Sequence, residues 1–221
     1  MMLECKLLPA SISGLSLNTL RRLIQIDDPN LSFFCDEDFV SAQKAEGTDT
    51  EALLDLYVNS HNDVLRDLPA DLTVGVHLCR GNFPNGVHLG SGAYDRLAKK
   101  LFLDFNYKLF YLEYDSDRAG SFTPLQHLPQ DKAVVLGMVT TKFAELEDLQ
   151  TLKGRVYEAA DIIAEVQGRT KEDVLQGNLA VSPQCGFASA SDGVGLGMTI
   201  ERQWQKLELV KALAEEVWPK A

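Results

Sequence analysis

The sequence predicts a parallel α/β fold, and three observations point to it. Five short apolar runs, at residues 23–26, 74–78, 109–112, 134–139 and 179–181, are continuous rather than alternating, as in strands buried on both faces of a parallel sheet. Helical periodicities fill the intervals between them at βαβ spacing. Each run is followed at once by small or polar residues, the place where parallel α/β folds carry their sites.

Taken in order, the first run ends in Asp27-Asp28-Pro29. Thr48-Asp49-Thr50-Glu51 reads as a capping box opening a helix, whose face is Leu54, Tyr57, Val58, His61, Val64, Leu65 and Leu68. His61 reads there as a packed core residue. The second run ends in His77-Leu78-Cys79-Arg80-Gly81-Asn82, and Tyr94, Leu97, Ala98 and Leu101 mark the next helix. The third run ends in Glu113-Tyr114-Asp115-Ser116 and the fourth in Thr140-Thr141-Lys142. Leu149, Leu152, Val156, Ala159, Ala160, Ile163 and Val166 mark a long helix. A short one follows at 171–176, closed by Gly177 as a C-terminal cap. The fifth run ends in Ser182-Pro183-Gln184-Cys185-Gly186. Segment 187–197, rich in serine and glycine, is expected to be a flexible loop able to act as a lid. Trp204, Leu207, Val210, Leu213, Ala214 and Val217 mark the last helix.

With 221 residues, 45% of them hydrophobic and 24% charged, the chain can bury a real core. A net charge of −11 argues against a nucleic-acid binder, which needs a basic surface, and against docking on an anionic membrane. No apolar run approaches the ~18 residues that span a bilayer. The start, Met1-Met2-Leu3-Glu4-Cys5-Lys6, has no secretory pattern. A cytoplasmic protein with reduced thiols is therefore expected, so that Cys5, Cys35, Cys79 and Cys185 are read as thiols rather than bridges.

His77 and Cys79 stand two apart at a strand end, so both side chains can face one ion. Cys185 sits just beyond the fifth run, next to Gly186, which is expected to let the backbone turn closely there. Glu113 ends a very apolar run, where a carboxylate is costly unless it meets a cation. One nitrogen, two sulfurs and one oxygen suit tetrahedral zinc. The residues alone leave another reading open, with both cysteines as core residues and Glu113 as the partner of an arginine. Asp115 and Asp117 also lie close by as alternatives to Glu113.

Five segments carry a resemblance: Ile24-Gln25-Ile26-Asp27-Asp28-Pro29, His77-Leu78-Cys79-Arg80-Gly81-Asn82, Leu112-Glu113-Tyr114-Asp115, Leu136-Gly137-Met138-Val139-Thr140-Thr141-Lys142, and Leu179-Ala180-Val181-Ser182-Pro183-Gln184-Cys185-Gly186-Phe187. In this order they resemble the C-terminal catalytic domain of the cobalamin-independent methionine synthase family and its shorter synthase-like relatives. The resemblance implies a (β/α)8 TIM-barrel-like fold, here incomplete, with about five βα units within one chain. It implies Zn2+ held by His77, Cys79, Glu113 and Cys185, and a thiol substrate held as thiolate for methyl or related alkyl transfer. Asp27 matches an aspartate that contacts the substrate's amino group, with Asp28 beside it. Residues 1–20 look unrelated to the family, and 21–221 form the zinc-binding barrel portion. The family's Asp-Ile-His segment is replaced by Met138-Val139-Thr140-Thr141, without the histidine.

The expected partners are a small-molecule thiol and an alkyl donor. Five strands leave two open sheet edges, so the barrel is expected to be completed in a homo- or hetero-oligomer. A non-catalytic zinc-binding subunit, or a zinc-dependent lyase or hydrolase at the same site, are the alternative expectations.

Overall fold

The computed structural model describes residues 23–81, 87–187 and 197–219. Five strands, β1 (Leu23–Asp27), β2 (Thr73–Leu78), β3 (Leu109–Glu113), β4 (Ala133–Val139) and β5 (Leu179–Pro183), form one sheet in the order β1-β2-β3-β4-β5. Every neighbouring pair is parallel. Each predicted run is a strand. Sequential order with helical crossovers is the winding of a (β/α)8 barrel, here as an open sheet of five strands among the described residues.

The crossovers hold α1 (Asn30–Phe33), α2 (Glu37–Ala45) and α3 (Thr50–Leu65) after β1, and α4 (Asp95–Asp104) after β2. Two 3-10 turns, Asp117–Ala119 and Thr123–His127, follow β3. After β4 come α5 (Leu149–Gln167) and α6 (Lys171–Asn178), and α7 (Ile200–Val217) follows β5. The main core lies between sheet and helices. Val76, Leu78, Phe110, Leu112, Val134, Leu136 and Met138 project from one sheet face onto Leu97, Leu101, Val156, Ile163, Val210 and Leu213. On the opposite face a smaller cluster joins Leu109 and Ala133, with Leu23 and Tyr111 packed against it. Alternate residues thus face the helices and the would-be barrel interior, which is why the strands read as unbroken apolar runs.

Local chemistry sets the helix ends. Asp36, Asp49, Asp148, Thr170 and Thr199 cap the N-termini of α2, α3, α5, α6 and α7, each accepting from backbone N–H groups of the first turn. The cap of α3 is therefore Asp49, one residue beyond the Thr48 of the predicted capping box, because the carboxylate takes the N–H groups of both Glu51 and Ala52. Gly168 ends α5 at φ 61°, a left-handed turn that glycine adopts without strain. Gly177 does not cap α6: the helix runs through it to Asn178 and passes directly into β5. Val64, Val166 and Trp204, placed on apolar helix faces by periodicity, are more than half exposed or at half exposure. The lid expected at 187–197 falls mostly on residues outside those described, as does the N-terminal segment 1–20.

His61 is more than a packed ring. Its Nε2 lies 2.8 Å from Asp28 Oδ2 and its Nδ1 2.7 Å from the Tyr107 hydroxyl. Asp28 Oδ1 accepts from the N–H groups of Asn30 and Leu31 at 2.7 and 3.1 Å, which fixes the chain as it leaves β1. Burial alone would raise the Asp28 carboxyl, but His61 and the two N–H donors outweigh it and hold the group below its usual 3.8. Stability from this lowered value is complete above pH 3.8 and is lost as the pH falls through the lower folded value. Replacing Asp28 by Asn is expected to cost about 1–3 kcal/mol in urea denaturation at pH 7. The gap from wild type should narrow when the same titration is run below pH 3.8.

Candidate metal centre

Side chains from the ends of three strands, β2, β3 and β5, converge. His77 is the penultimate residue of β2, Cys79 follows that strand, Glu113 ends β3, and Cys185 lies two residues beyond β5. One donor atom from each falls within 4.8 Å of all the others. These are the four residues that the sequence singled out as ligands, and Glu113, not Asp115 or Asp117, is the carboxylate that joins them. His88 and His127 are not in the cluster, and Cys35 is buried elsewhere in the core.

Two of the donor separations fit a tetrahedral ion. Two sulfurs bonded at ~2.3 Å stand roughly 3.8 Å apart across a tetrahedron, and a nitrogen and an oxygen bonded at ~2.05 Å stand roughly 3.4 Å apart. Cys79 Sγ and Cys185 Sγ are 3.8 Å apart. His77 Nε2 and Glu113 Oε1 are 3.4 Å apart. The sulfur separation is far beyond the ~2.05 Å of a disulfide. His77 Nε2 is buried and makes no hydrogen bond among the described residues, which leaves its lone pair for an ion.

Three of the four ligands are supported from behind. Asp27 pairs with His77 in the β1–β2 register, and its Oδ1 lies 2.8 Å from His77 Nδ1, which fixes the ring so that Nε2 faces the cluster. Asp27 remains 59% exposed at its side chain. Asp28, read beside it as a substrate contact, has both carboxylate oxygens engaged by Asn30, Leu31 and His61. The Glu113 N–H donates to the Tyr94 hydroxyl at 3.0 Å, and the Arg80 guanidinium stacks 4.3 Å over the Tyr94 ring. The Arg80 N–H donates to Glu113 Oε1 at 3.0 Å. Gly137 serves the Cys185 side: a Cβ there would stand 2.8 Å from Gln184 Cα, so any side chain would push the cysteine segment away. Gly186, expected to provide that close approach, has open space around its would-be Cβ.

Charge accumulates around the cluster. Glu113 is fully buried, with Arg118 Nη2 at 3.4 Å and Lys142 Nζ at 3.8 Å from Oε2. Burial would raise its carboxyl, but His77, Lys142 and the Arg80 N–H outweigh that and hold it below the usual range. Burial likewise opposes charge on His77, yet the bond to Asp27 and the Glu113 carboxylate raise the imidazole to about 9. The two thiols share their protons: contact with Cys185 pushes Cys79 up, and contact with Cys79 brings Cys185 down. An arginine partner for Glu113 is one of the readings the residues leave open, and Arg118 is that partner; Lys142 was not anticipated as a neighbour of Glu113, because a lone basic residue in a loop carries no spacing signal.

No family model matches the chain. The uncharacterized proteins YxjH and YxjG of Bacillus subtilis (strain 168) are 38% and 39% identical over 198 residues, 89% of this chain. That match covers 49% of each, so the chain spans about half the length of the curated relatives it matches. A crystal structure from Listeria monocytogenes, of a protein assigned as a vitamin-B12 independent methionine synthase, superposes with a TM-score of 0.62 and 31% identity, over 89% of this chain and 48% of that one. This chain resembles the cobalamin-independent methionine synthases. The B12-independent methionine synthase of Shewanella sp. W3-18-1, solved in complex with selenomethionine, matches 96% of this chain and 54% of its own at a TM-score of 0.62; at 18% identity it bears on the fold alone. Among the described residues, no helix is long and apolar enough to cross a membrane.

Two outcomes follow from this geometry. A proton on His77 competes with an ion for Nε2, so the apparent affinity of metal-free protein for Zn2+, read by chelator competition, should climb as the pH rises toward about 9. Asp27→Asn should weaken that affinity roughly 10–100-fold by freeing the imidazole ring, with little change in fold by circular dichroism.

Proposed function

We infer that this chain takes part in the transfer of a methyl or related alkyl group to or from a small-molecule thiol, with Zn2+ as its cofactor. The observation that carries this reading is the cluster of His77, Cys79, Glu113 and Cys185, whose sulfur–sulfur and nitrogen–oxygen separations match two edges of a tetrahedron. The donor set, one imidazole, two thiolates and a carboxylate, suits zinc over the harder divalent ions. Likeness to methionine synthases supplies the reaction class. Zinc held there lowers the pKa of a thiol, so that a nucleophilic sulfur exists at neutral pH.

The chain's own residues do the rest. Cys79, Cys185 and Glu113 provide three anionic donors, and Asp27 keeps the His77 ring in the tautomer that offers Nε2. The exposed side of the Asp27 carboxylate is free to meet the amino group of an amino-acid thiol, the role its counterpart has in the family, whereas Asp28 is engaged in the fold. Buried apolar residues of β3 and β4 keep water from beneath the cluster.

A second reading has one observation in its favour. Neither β1 nor β5 carries a further strand among the described residues, and the chain spans about half the length of its relatives. On this reading the chain is a zinc-binding half-barrel completed by a second polypeptide, without turnover of its own.

Titration of the zinc-loaded protein with homocysteine, followed by zinc X-ray absorption, separates the two. An added sulfur ligand per zinc supports the transferase reading. A coordination sphere unchanged by saturating thiol, with Cys185→Ser abolishing zinc binding, contradicts it and leaves a closed structural site.

A further inference from the structure

Lys142 is the side chain of this site that hydrogen bonding explains least. Its side chain is 3% exposed, and its Nζ donates no hydrogen bond to any described residue. It stands 3.8 Å from Glu113 Oε2 and 4.0 Å from Asp115 Oδ2, close enough for charge and too far for a bond. The loop that carries it is well tied. The Thr140 N–H donates to Glu147 Oε1 at 2.7 Å, the buried Lys206 ammonium holds Glu147 Oε2 at 3.0 Å, and the Thr141 N–H and hydroxyl both donate to Gln184 Oε1. A buried ammonium fixed in this way acts through its field rather than through a bond.

The charges around it can be counted. With a dication in the cluster, neutral His77, two thiolates and the Glu113 carboxylate leave one net negative charge. Asp115 adds a second negative charge, and Arg118 Nη2, 3.4 Å from both Glu113 Oε2 and Asp115 Oδ1, adds one positive charge. Lys142 supplies the second positive charge beside these two carboxylates, and the cluster, Asp115, Arg118 and Lys142 together become neutral. Without it, any anion entering the site would meet a negative cluster in a region of low dielectric, where one unit charge a few ångströms away weighs heavily.

We propose that Lys142 is a specificity-determining residue: its charge gives the metal-loaded site its preference for anionic over neutral ligands, a sulfur anion included. Only the identity of that anion rests on the transferase reading above; the charge balance itself requires only a divalent ion. Lys142 is distinguished from Arg118 by its bonding: Arg118 Nη2 hydrogen-bonds both Glu113 and Asp115, whereas Lys142 Nζ bonds to no described residue.

The test uses the protein loaded with Co2+ in place of zinc. Wild type, Lys142→Met and Lys142→Arg are each titrated with azide, imidazole and homocysteine, and the visible spectrum is followed. Lys142→Met is expected to weaken azide about tenfold or more while leaving imidazole and the cobalt stoichiometry unchanged, and Lys142→Arg to restore azide binding. Homocysteine should follow azide and produce a sulfur-to-cobalt charge-transfer band in wild type. Equal losses for azide and imidazole, no change for either, or a wild-type site that admits neither would overturn the proposal. Azide binding that depends on Lys142 without any response to homocysteine would sustain it while contradicting the transferase reading. If Lys142→Met does not fold, the comparison passes to Lys142→Gln, judged by the same ratio of azide to imidazole.

Discussion

The site depends on one costly group, the carboxylate of Glu113, which is fully buried at the end of β3. An isolated ion in that position would cost several kcal/mol even after relaxation, so it persists only because every direction around it is answered. Oε1 meets the Arg80 N–H and lies beside His77 Nε2, while Oε2 faces Arg118 and Lys142. The residues that answer it also shape the centre. His77 stands on the Oε1 side, and Arg118 and Lys142 stand on the other. In the metal-free protein, removal of one of these partners leaves the buried carboxylate with less compensation, which a bound ion restores, so the metal cluster and the local fold are coupled.

The parallel sheet makes that arrangement possible. Because all five strands run the same way, their C-terminal ends come to one side, and residues far apart in sequence, such as Cys79 and Cys185, reach contact. The register does the fine placement: Asp27 lies beside His77, and Glu113 lies beside Gly137. Gly137 in turn leaves room for the Gln184 backbone, and Gln184 ties the loop after β4 to the segment bearing Cys185. The cluster is therefore built on rigid strand ends, with loops fastened to them by side-chain hydrogen bonds, which is the support a preorganised metal site needs.

Much of the fold was readable because its signals are local. Strands buried on both faces leave continuous apolar runs, and all five were visible as such. The His77-x-Cys79 pair was readable because a strand places alternate residues on one side. What escaped reading depends on contacts between distant segments. The short helix α2 follows from Asp36 capping it, and α1 opens where Asp28 Oδ1 accepts the N–H groups of Asn30 and Leu31, which periodicity over so few residues does not reveal. His61 looked like a core residue, since its helix face is apolar; only the approach of Asp28 and Tyr107 gives it two polar partners. Arg118 sits in a short 3-10 turn and Lys142 in an irregular segment, so spacing alone could not say which basic residues meet Glu113. The misplaced glycines, Gly177 and Gly186, show the same limit: a glycine marks a permissive position, and the surroundings decide whether the permission is used.

The central claim is that His77, Cys79, Glu113 and Cys185 together hold one zinc ion. Diffraction data from crystals of the purified protein, collected on both sides of the zinc absorption edge, test it most directly. The account predicts a single anomalous peak that appears only above the edge, within about 2.0–2.3 Å of His77 Nε2, Cys79 Sγ, Glu113 Oε1 and Cys185 Sγ. No peak in crystals grown with zinc, or a peak bound by other residues while these four stand apart, would contradict it.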